Sequence, residues 1–196
     1  RKSHHIQKSI DVNLSDEEII EIIKNDKKTD LFSILFDRYS KKVYHTCLSM
    51  VNSTDIAEDL SHDIFLKVFL SLQKYDGKAS FSTWLYRITS NFCIDYIRKN
   101  KRLSNKIEDY TYEMESRSEE ENEKELLSSK AELLKIILNG LDPEDKMILL
   151  MKYQEDMSIK NIMQVFNISE SATKMRLKRA KAKAINLKTV LNKGNG

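Results

Sequence analysis

The chain of 196 residues contains 40 % hydrophobic and 32 % charged residues, and its formal net charge is +3 at pH 7. That length is enough for one ordinary domain or two small ones, each with a modest core. Only four glycines and one proline occur, whereas a β-rich fold needs turn residues at short intervals. The composition therefore argues against a β architecture and predicts an all-α protein.

The sequence does not indicate a membrane protein, a metalloprotein or an enzyme. No apolar run approaches the roughly 20 residues of a membrane span, so we expect no membrane insertion and a cytoplasmic location. Cys47 and Cys93 form no CxxC motif and have no histidines at metal-ligand spacing, which predicts two reduced, buried thiols. No P-loop, nucleophile–base arrangement or ligand cluster is visible, so we expect no cofactor, no metal and no catalytic activity.

Apolar residues recur at helical spacing in four segments of the first half of the chain. The predicted helices cover residues 14–23, 31–51, 54–75 and 81–102. Ser15 is suited to cap the first helix, and Thr54-Asp55 the third. The stretch Asp76-Gly77-Lys78-Ala79-Ser80 predicts a turn between the third helix and the fourth.

The fourth predicted helix has two different faces. At about 100° per residue, its large apolar side chains share one broad face, namely Phe81, Trp84, Leu85, Ile88, Phe92 and Tyr96. Arg87 and Asn91 lie beside that face, and the helix ends in the basic run Arg98-Lys99-Asn100-Lys101-Arg102. Trp84 could pack or contact a base, and we expect packing. The helix is predicted to pack on one side and to bind a ligand on the other.

The middle of the chain separates two folded parts. Residues 103–128 are polar and acid-rich, with few large apolar side chains, and predict a flexible linker. Helical periodicity returns over residues 126–138 and stops at Asn139-Gly140. Asp142 as N-cap, with Pro143 in the first turn, then predicts the start of another helix.

The last part of the chain predicts a helix-turn-helix. Ser158 is suited to cap one helix, Asn167-Ile168 make a tight break, and Ser169 caps a second helix. This second helix is basic and free of acids from Lys174 to Lys188. A basic helix commonly meets nucleic acid, whereas a plain αα-hairpin with a solvated charged face is the alternative.

Four stretches carry a resemblance to a known family: "DIAEDLSHDIFLKVFLSLQKYDG", "FSTWLYRITSNFCIDYIRKNKR", "LDPEDKMILLMKY" and "SIKNIMQVFNISESATKMRLKRAKAKA". They resemble, in this order, the polymerase-docking helix, the promoter-melting helix and the −35-reading domain of bacterial sigma factors of the extracytoplasmic-function (ECF) group. The resemblance spans most of residues 31–186. It implies a tail (1–13), sigma domain two (14–102), the acidic linker (103–128) and sigma domain four (129–196).

The resemblance implies a pocket for a base flipped from the non-template strand of the −10 element. Its walls would be the loop 75–80 and the neighbouring face of the fourth helix, with the residues Tyr75, Lys78, Ser80, Arg87 and Asn91. The basic tail of that helix would hold phosphates without reading sequence, through Arg98, Lys99, Lys101 and Arg102.

The same resemblance implies a −35 reader and a polymerase contact. In the second helix of the helix-turn-helix the matching positions are Ser171, Lys174, Met175, Arg176, Lys178 and Arg179. Ser171-Ala172 replaces the usual Gly-Thr pair, and Arg176 is open to a structural or a phosphate-binding role. The polymerase-docking positions are Asp59, His62, Asp63 and Phe65. The family more often has Gln and Glu at the positions of His62 and Asp63. The alternative is that this is an exposed acidic face with Phe65 in the core beneath it.

The resemblance implies a transcription initiation factor with no active site of its own. Its partners would be core RNA polymerase (the clamp of the largest subunit and the flap of the second-largest), promoter DNA in double- and single-stranded form, and an anti-sigma factor. The acidic linker would run through polymerase channels or serve as a solvated tether. The alternatives are a stand-alone helix-turn-helix regulator with an N-terminal sensor or dimerisation domain and, third, an enzyme acting on nucleic acid.

Overall fold

The computed structural model describes the backbone of residues 14–104 and 122–194 and the side chains of residues 14–101 and 129–192. Within these ranges it contains helices and no strand, which confirms the all-α prediction. The helices are α1 Asp16–Asp26, α2 Phe32–Val51, α3 Thr54–Ser71, α4 Phe81–Ser104, α5 Asn122–Asn139, α6 Pro143–Tyr153, α7 Ile159–Phe166 and α8 Glu170–Gly194, with 3₁₀ turns at Thr29–Leu31 and Leu72–Lys74. The predicted tail 1–13, most of the predicted linker and the Arg102 side chain lie outside the described residues.

Local capping fixes where several helices begin and end. Ser15 Oγ accepts the Glu18 N–H at 3.2 Å while the Glu18 carboxylate accepts the Ser15 N–H at 2.7 Å, which forms a capping box. Ser158 caps α7 as predicted. Asn52 and Asn167 end α2 and α7 in the left-handed conformation, with φ of 56° and 52°, which asparagine adopts more readily than most residues.

The predicted cap and the predicted end of the third helix are both wrong. Ser53, not Thr54-Asp55, is the N-cap whose side chain accepts the first backbone N–H. The helix ends at Ser71, four residues before the predicted end, and a 3₁₀ turn follows at Leu72–Lys74. The Ser71 hydroxyl donates to the Lys67 carbonyl at 2.5 Å, a side-chain bond of the kind that competes with helix propagation.

The start of α6 follows the prediction in position but differs in detail. Asp142 is the N-cap residue and Pro143 lies in the first turn, but the Asp142 side chain makes no capping bond. Its carboxylate instead accepts from Lys183 Nζ of α8 at 2.8 Å. Helix α8 continues to Gly194, beyond the predicted end near residue 187.

Helices α1–α4 form an N-terminal bundle around a closed apolar core. Leu35 and Val43 of α2, Ile64 of α3, and Phe81 and Leu85 of α4 are all 0 % exposed. Their spacing along each helix puts them on one face, so burial of this face drives the assembly of the bundle.

Cys47 of α2 and Cys93 of α4 meet inside this core. Both are buried free thiols, as predicted, and their sulfurs lie 3.7 Å apart. The hydrogen bond to Cys47, together with burial, raises the pKa of the Cys93 thiol well above its usual value.

Helices α5–α8 form a C-terminal bundle. Met147, Ile148 and Met151 of α6 are fully buried against Ile162 of α7 and Ala180 of α8. Gly140, between α5 and α6, lies close to α8, because a Cβ there would be 3.0 Å from a Leu187 methyl group and would require that side chain to shift slightly.

The two bundles pack directly against each other. Helix α4 contacts α6 and α7, and α2 contacts α6. Ser90 of α4, one helical turn after the interface residue Tyr86, is 2 % exposed. The sequence analysis did not anticipate this interface, which places α4 between the core of its own bundle and the C-terminal bundle.

Candidate nucleic-acid and polymerase interfaces

The loop between α3 and α4 is fixed by contacts on its buried side. Tyr75 is 6 % exposed, and its hydroxyl donates to the Ala79 carbonyl at 2.7 Å, across the loop. Burial and the neighbouring Glu17 carboxylate raise the pKa of Tyr75 to about 12. Gly77 turns the chain with φ of +70°, in the left-handed region that side chains disfavour. Tyr75 therefore supports the predicted pocket rather than lining it.

The exposed edge of the same loop carries a cation and two hydroxyls. The Lys78 ammonium is 2.8 Å from Asp76 Oδ2, and its side chain is 86 % exposed, so water or a phosphate can replace that partner. Ser80 begins α4, since its Oγ accepts the Thr83 N–H at 3.3 Å, and it also contacts Ser82 Oγ at 3.1 Å.

The outer face of α4 presents two side chains with no internal partner. Arg87 and Asn91 are both exposed and one helical turn apart, and within the described residues neither makes a hydrogen bond or ion pair. Trp84, one turn before Arg87, is half-buried and packs with Tyr75 and Phe81 at centroid distances of 5.5 and 6.0 Å. The structure thus places packing and polar donors side by side on α4, as predicted.

The basic tail of α4 is only partly available. Lys99 and Lys101 are exposed, whereas Arg98 forms an ion pair with Glu144 at the start of α6. The Arg102 side chain lies outside the described residues.

The recognition helix α8 exposes one basic face. Its predicted reading residues Lys174, Met175, Lys178 and Arg179 are all exposed, with Met175 at 47 %. Lys174 pairs with Glu170 one turn earlier at 2.5 Å. Ser171 is exposed as well, and it lies at the N-terminus of α8, where free backbone N–H groups favour phosphate binding.

The opposite face of α8 holds the helix-turn-helix together. Thr173 is 0 % exposed, and its hydroxyl donates to the Ser169 carbonyl at 2.9 Å, so this side chain packs within the helix-turn-helix. Arg176 stacks over the Phe166 ring at 5.4 Å and lies 3.8 Å from Asp145. These contacts show a packing role for Arg176 in this state, and its predicted phosphate contact would require it to leave Asp145.

Helix α3 presents the predicted docking face to solvent. Asp59, His62 and Asp63 are exposed, but Phe65 is only 4 % exposed and packs edge-on against Phe36 at 4.7 Å. Phe65 thus lies beneath the surface. The sequence analysis missed the large apolar residues beside that acidic face, namely Leu66, Phe69 and Leu70 at 57, 39 and 70 % exposure.

The interface between the bundles contains polar residues that sequence reasoning also missed. Glu155 accepts hydrogen bonds from Tyr86 Oη and, at 3.1 Å, from Thr46 Oγ1. Lys146, 4 % exposed, donates to the Met50 carbonyl at 3.0 Å. Lys146 begins the mainly apolar run "KMILLMKY", and a charged residue there was the local signal for a buried polar contact.

Within the described residues, no group of His, Cys, Asp and Glu side chains could hold a metal ion, and no helix is long and apolar enough to cross a membrane.

Two family models match the two bundles. Sigma-70 region 2 matches residues 35–103, and sigma-70 region 4 matches residues 132–183, which together cover more than half of the chain. The chain belongs to the sigma-70 family. Members of this family are transcription initiation factors and not enzymes.

Curated relatives of this sigma factor are ECF sigma factors. The ECF RNA polymerase sigma factor SigW of Bacillus subtilis is 27 % identical over 183 residues, covering 81 % of this chain and 90 % of that protein. The ECF sigma-E factor of Haemophilus influenzae is 29 % identical over 179 residues, covering 86 % and 92 %. Each alignment covers more than 80 % of this chain, so the similarity extends over both bundles.

Solved structures share the fold. CnrH, in complex with the cytosolic domain of CnrY, has a TM-score of 0.65 at 19 % identity, covering 88 % of this chain and 96 % of CnrH. The sigma factor RpoE of Bartonella quintana, in complex with the anti-sigma factor NepR, has a TM-score of 0.62 at 17 % identity, covering 81 % and 97 %.

Proposed function

We propose that this sigma factor binds core RNA polymerase in the cytoplasm, recognises −10 and −35 promoter elements, and opens the DNA around the −10 element. The observation that carries the proposal is the two-sided nature of α4. Its apolar side is anchored by Phe81 and Trp84, and its exposed side presents Arg87 and Asn91, whose side chains have no partner within the described residues. Arg and Asn side chains suit base edges and phosphates, and Tyr75 of the adjacent loop packs against Trp84, one turn before Arg87.

For the −10 element we propose that one base is flipped into the surface between Arg87, Asn91 and the loop residues Lys78 and Ser80. Flipping costs a few kcal/mol of unstacking, which new hydrogen bonds and stacking can offset. Lys99, Lys101 and Arg102 would hold the backbone nearby.

For the −35 element we propose that α8 enters the major groove. Lys174, Lys178 and Arg179 share its exposed basic face, and Met175 offers an apolar contact to a base. Ser171 would contact a phosphate near the start of the helix.

For polymerase docking we propose that α3 binds the clamp of the largest subunit through Asp59, His62 and Asp63. The exposed Leu66 and Leu70 on the same helix would supply the apolar part of that interface. We assign Phe65 a supporting role beneath this surface, because it is buried. The C-terminal bundle would contact the flap of the second-largest subunit.

We further propose the domain limits 14–102 and 129–196, with 103–128 as the acidic linker that passes through polymerase channels. An anti-sigma factor is the proposed regulatory partner, because the RpoE neighbour was solved with the anti-sigma factor NepR.

Run-off transcription with purified core RNA polymerase and a library of promoter fragments tests the proposal. Transcripts that start at defined sites only when both proteins are present are expected. A stand-alone regulator would instead bind duplex DNA without polymerase and give no polymerase-dependent start sites, which would overturn the assignment.

A further inference from the structure

A cleft of about 1080 Å³ lies where the end of α2 and the start of α3 meet α5, α6 and α8. None of the residues proposed to contact the promoter or the polymerase lines it. Pockets for small molecules measure about 300–1,000 Å³ and are mostly apolar, with a few polar groups that fix the orientation of the ligand. The cleft therefore has a volume at the upper limit of small-molecule sites.

Three of these helices line the cleft with the same spacing. The lining residues begin at Ala131 on α5, Lys146 on α6 and Lys181 on α8, and on each helix they recur at positions i+3, i+4 and i+7. Residues with this spacing lie on one side of a helix and extend over two turns, about 10.5 Å at 1.5 Å per residue. The cleft is thus bounded by three stripes of side chains, each two turns long.

Apolar side chains in these stripes remain in contact with solvent. Leu134 of α5, Tyr153 of α6 and Ile185 of α8 are 55, 66 and 54 % exposed. Single exposed apolar residues are common on protein surfaces, whereas several of them on one concave surface mark a binding site. A ligand in the cleft would bury its hydrocarbon against all three helices.

The charged side chains of the cleft are all basic. Lys135, Lys146, Lys181 and Lys188 line it, and among the described residues no aspartate or glutamate does. Lys135, Lys181 and Lys188 are exposed, and none of them forms an ion pair with a described residue. Burial, with a smaller contribution from Lys135, lowers the pKa of Lys146 to about 8. A bound anion would offset the repulsion between these two ammonium groups.

The combination of hydrocarbon and positive charge selects the chemistry of the ligand. A nucleic acid would pair its phosphates with the lysines but would leave the aliphatic walls at Leu134 and Ile185 unused. A protein partner buries about 800 Å² of each surface in a stable complex, which exceeds a cleft two helical turns long. We propose that the cleft binds a single-chain fatty-acid carboxylate, with its hydrocarbon chain between α5, α6 and α8 and its carboxylate beside Lys135.

Isothermal titration calorimetry of the full chain with dodecanoate, below the concentration at which dodecanoate forms micelles, tests this. Because burial of each CH₂ group raises affinity about fourfold, dodecanoate should bind far more tightly than octanoate. Dodecyltrimethylammonium has the same chain length and the opposite charge, and it should bind about tenfold or more weakly than dodecanoate. Equal affinities for these two amphiphiles would overturn the proposal.

Two pairs of variants locate the site. Ile185→Asp places a carboxylate on the cleft wall, and Val190→Asp is its matched control, because Val190 is an exposed β-branched residue of α8 outside the cleft. Lys135→Gln removes the proposed partner of the ligand carboxylate, and Lys130→Gln, at an exposed position of α5 outside the cleft, is its control. Relative to these controls, dodecanoate affinity should fall about tenfold or more for Ile185→Asp and about two- to fivefold for Lys135→Gln.

Equal affinities within either pair, with all variants folded by circular dichroism, would contradict the proposed site. So would self-association of the wild type that Ile185→Asp abolishes in analytical ultracentrifugation, without any binding of dodecanoate, because the cleft would then hold a second copy of the chain.

Discussion

Glu155 of the C-terminal bundle accepts a hydrogen bond from the Tyr86 hydroxyl of α4, across the interface between the bundles. Its other carboxylate oxygen accepts from Thr46 Oγ1 of α2 at 3.1 Å. One carboxylate therefore links the C-terminal bundle to two helices of the N-terminal bundle. Burial and the Glu155 charge both raise the pKa of Tyr86 above its usual range, so the tyrosine stays a hydrogen-bond donor at physiological pH.

Loss of the Glu155 charge should weaken the packing of the two bundles against each other. Glu155→Gln keeps the shape of the side chain but replaces two charge-assisted hydrogen bonds with neutral ones, at a cost of about 1–3 kcal/mol. We expect a larger radius of gyration in small-angle X-ray scattering than for the wild type or for Glu132→Gln, which alters an exposed acid on α5. An unchanged radius and an unchanged melting temperature would show that Glu155 does not hold the bundles together.

Lys146 should make stability depend on pH. Burial, with a smaller contribution from Lys135, lowers the pKa of Lys146 to about 8 from its usual 10.5. Between these two values the unfolded chain binds more protons than the folded one, so this group stabilises the fold increasingly as pH rises from about 8. The raised pKa of the Cys93 thiol has the opposite effect, because the unfolded chain loses that proton first.

Comparison with Lys146→Met separates the two groups. The variant keeps the raised pKa of Cys93 but has no lysine at position 146. Between about pH 8 and about pH 9.5, its free energy of unfolding should therefore rise less, or fall more, than that of the wild type. Urea denaturation in the presence of a reductant measures this difference. Parallel pH profiles for the two proteins would show that folding does not lower the pKa of Lys146.

These interface residues show what the sequence could and could not predict. The caps at Ser15 and Ser158 and the helix ends at Asn52 and Asn167 depend on neighbours within four residues, so local patterns sufficed. The Tyr86–Glu155 and Lys146–Met50 contacts join positions 69 and 96 residues apart, and nothing in either segment specifies its partner.

Helix α3 shows a second reason for error in the predicted sites. Its apolar residues extend around most of the helix, since Ile64, Phe65 and Val68 are buried while Leu66 and Leu70 are exposed. Periodicity therefore could not separate the core face from the proposed docking face, and the docking role predicted for Phe65 rests on the resemblance alone. In α4 the two faces are chemically distinct, and there the predicted exposure of Arg87 and Asn91 is confirmed.

Asp59→Ala should weaken binding to core RNA polymerase. Asp59 is exposed on the docking face of α3, and loss of a desolvated charge-assisted bond costs about 1–3 kcal/mol. Titration of labelled sigma factor with core polymerase measures the change. Glu21→Ala, an exposed acid on α1, serves as the control. If Asp59→Ala and Glu21→Ala bind core polymerase alike, Asp59 lies outside the interface.

Arg179→Ala should reduce binding to −35 duplex DNA and lower the slope of log affinity against log salt by about 0.9 for each lost phosphate contact. Lys174→Ala should have a smaller effect, because Lys174 must first give up its 2.5 Å pair with Glu170. Lys188→Ala is the control for Arg179, since Lys188 is exposed and lies about 180° around α8 from Arg179. A promoter-variant panel then separates the roles: a base-reading residue relaxes specificity at one position, whereas uniform loss identifies a phosphate contact.

Open-complex formation by Asn91→Ala on two templates tests most directly whether the exposed face of α4 opens the promoter. One template is fully paired, and the other is mismatched across the −10 region. Asn186→Ala, at an exposed position on α8, is the control. Because the proposed contact of Asn91 is to an unstacked base alone, core binding and −35 duplex binding should stay nearly unchanged. The opening defect should be large on the paired template and smaller, though still present, on the mismatched one. Equal impairment on both templates would assign Asn91 to binding alone, and no impairment on either would contradict the role proposed for α4.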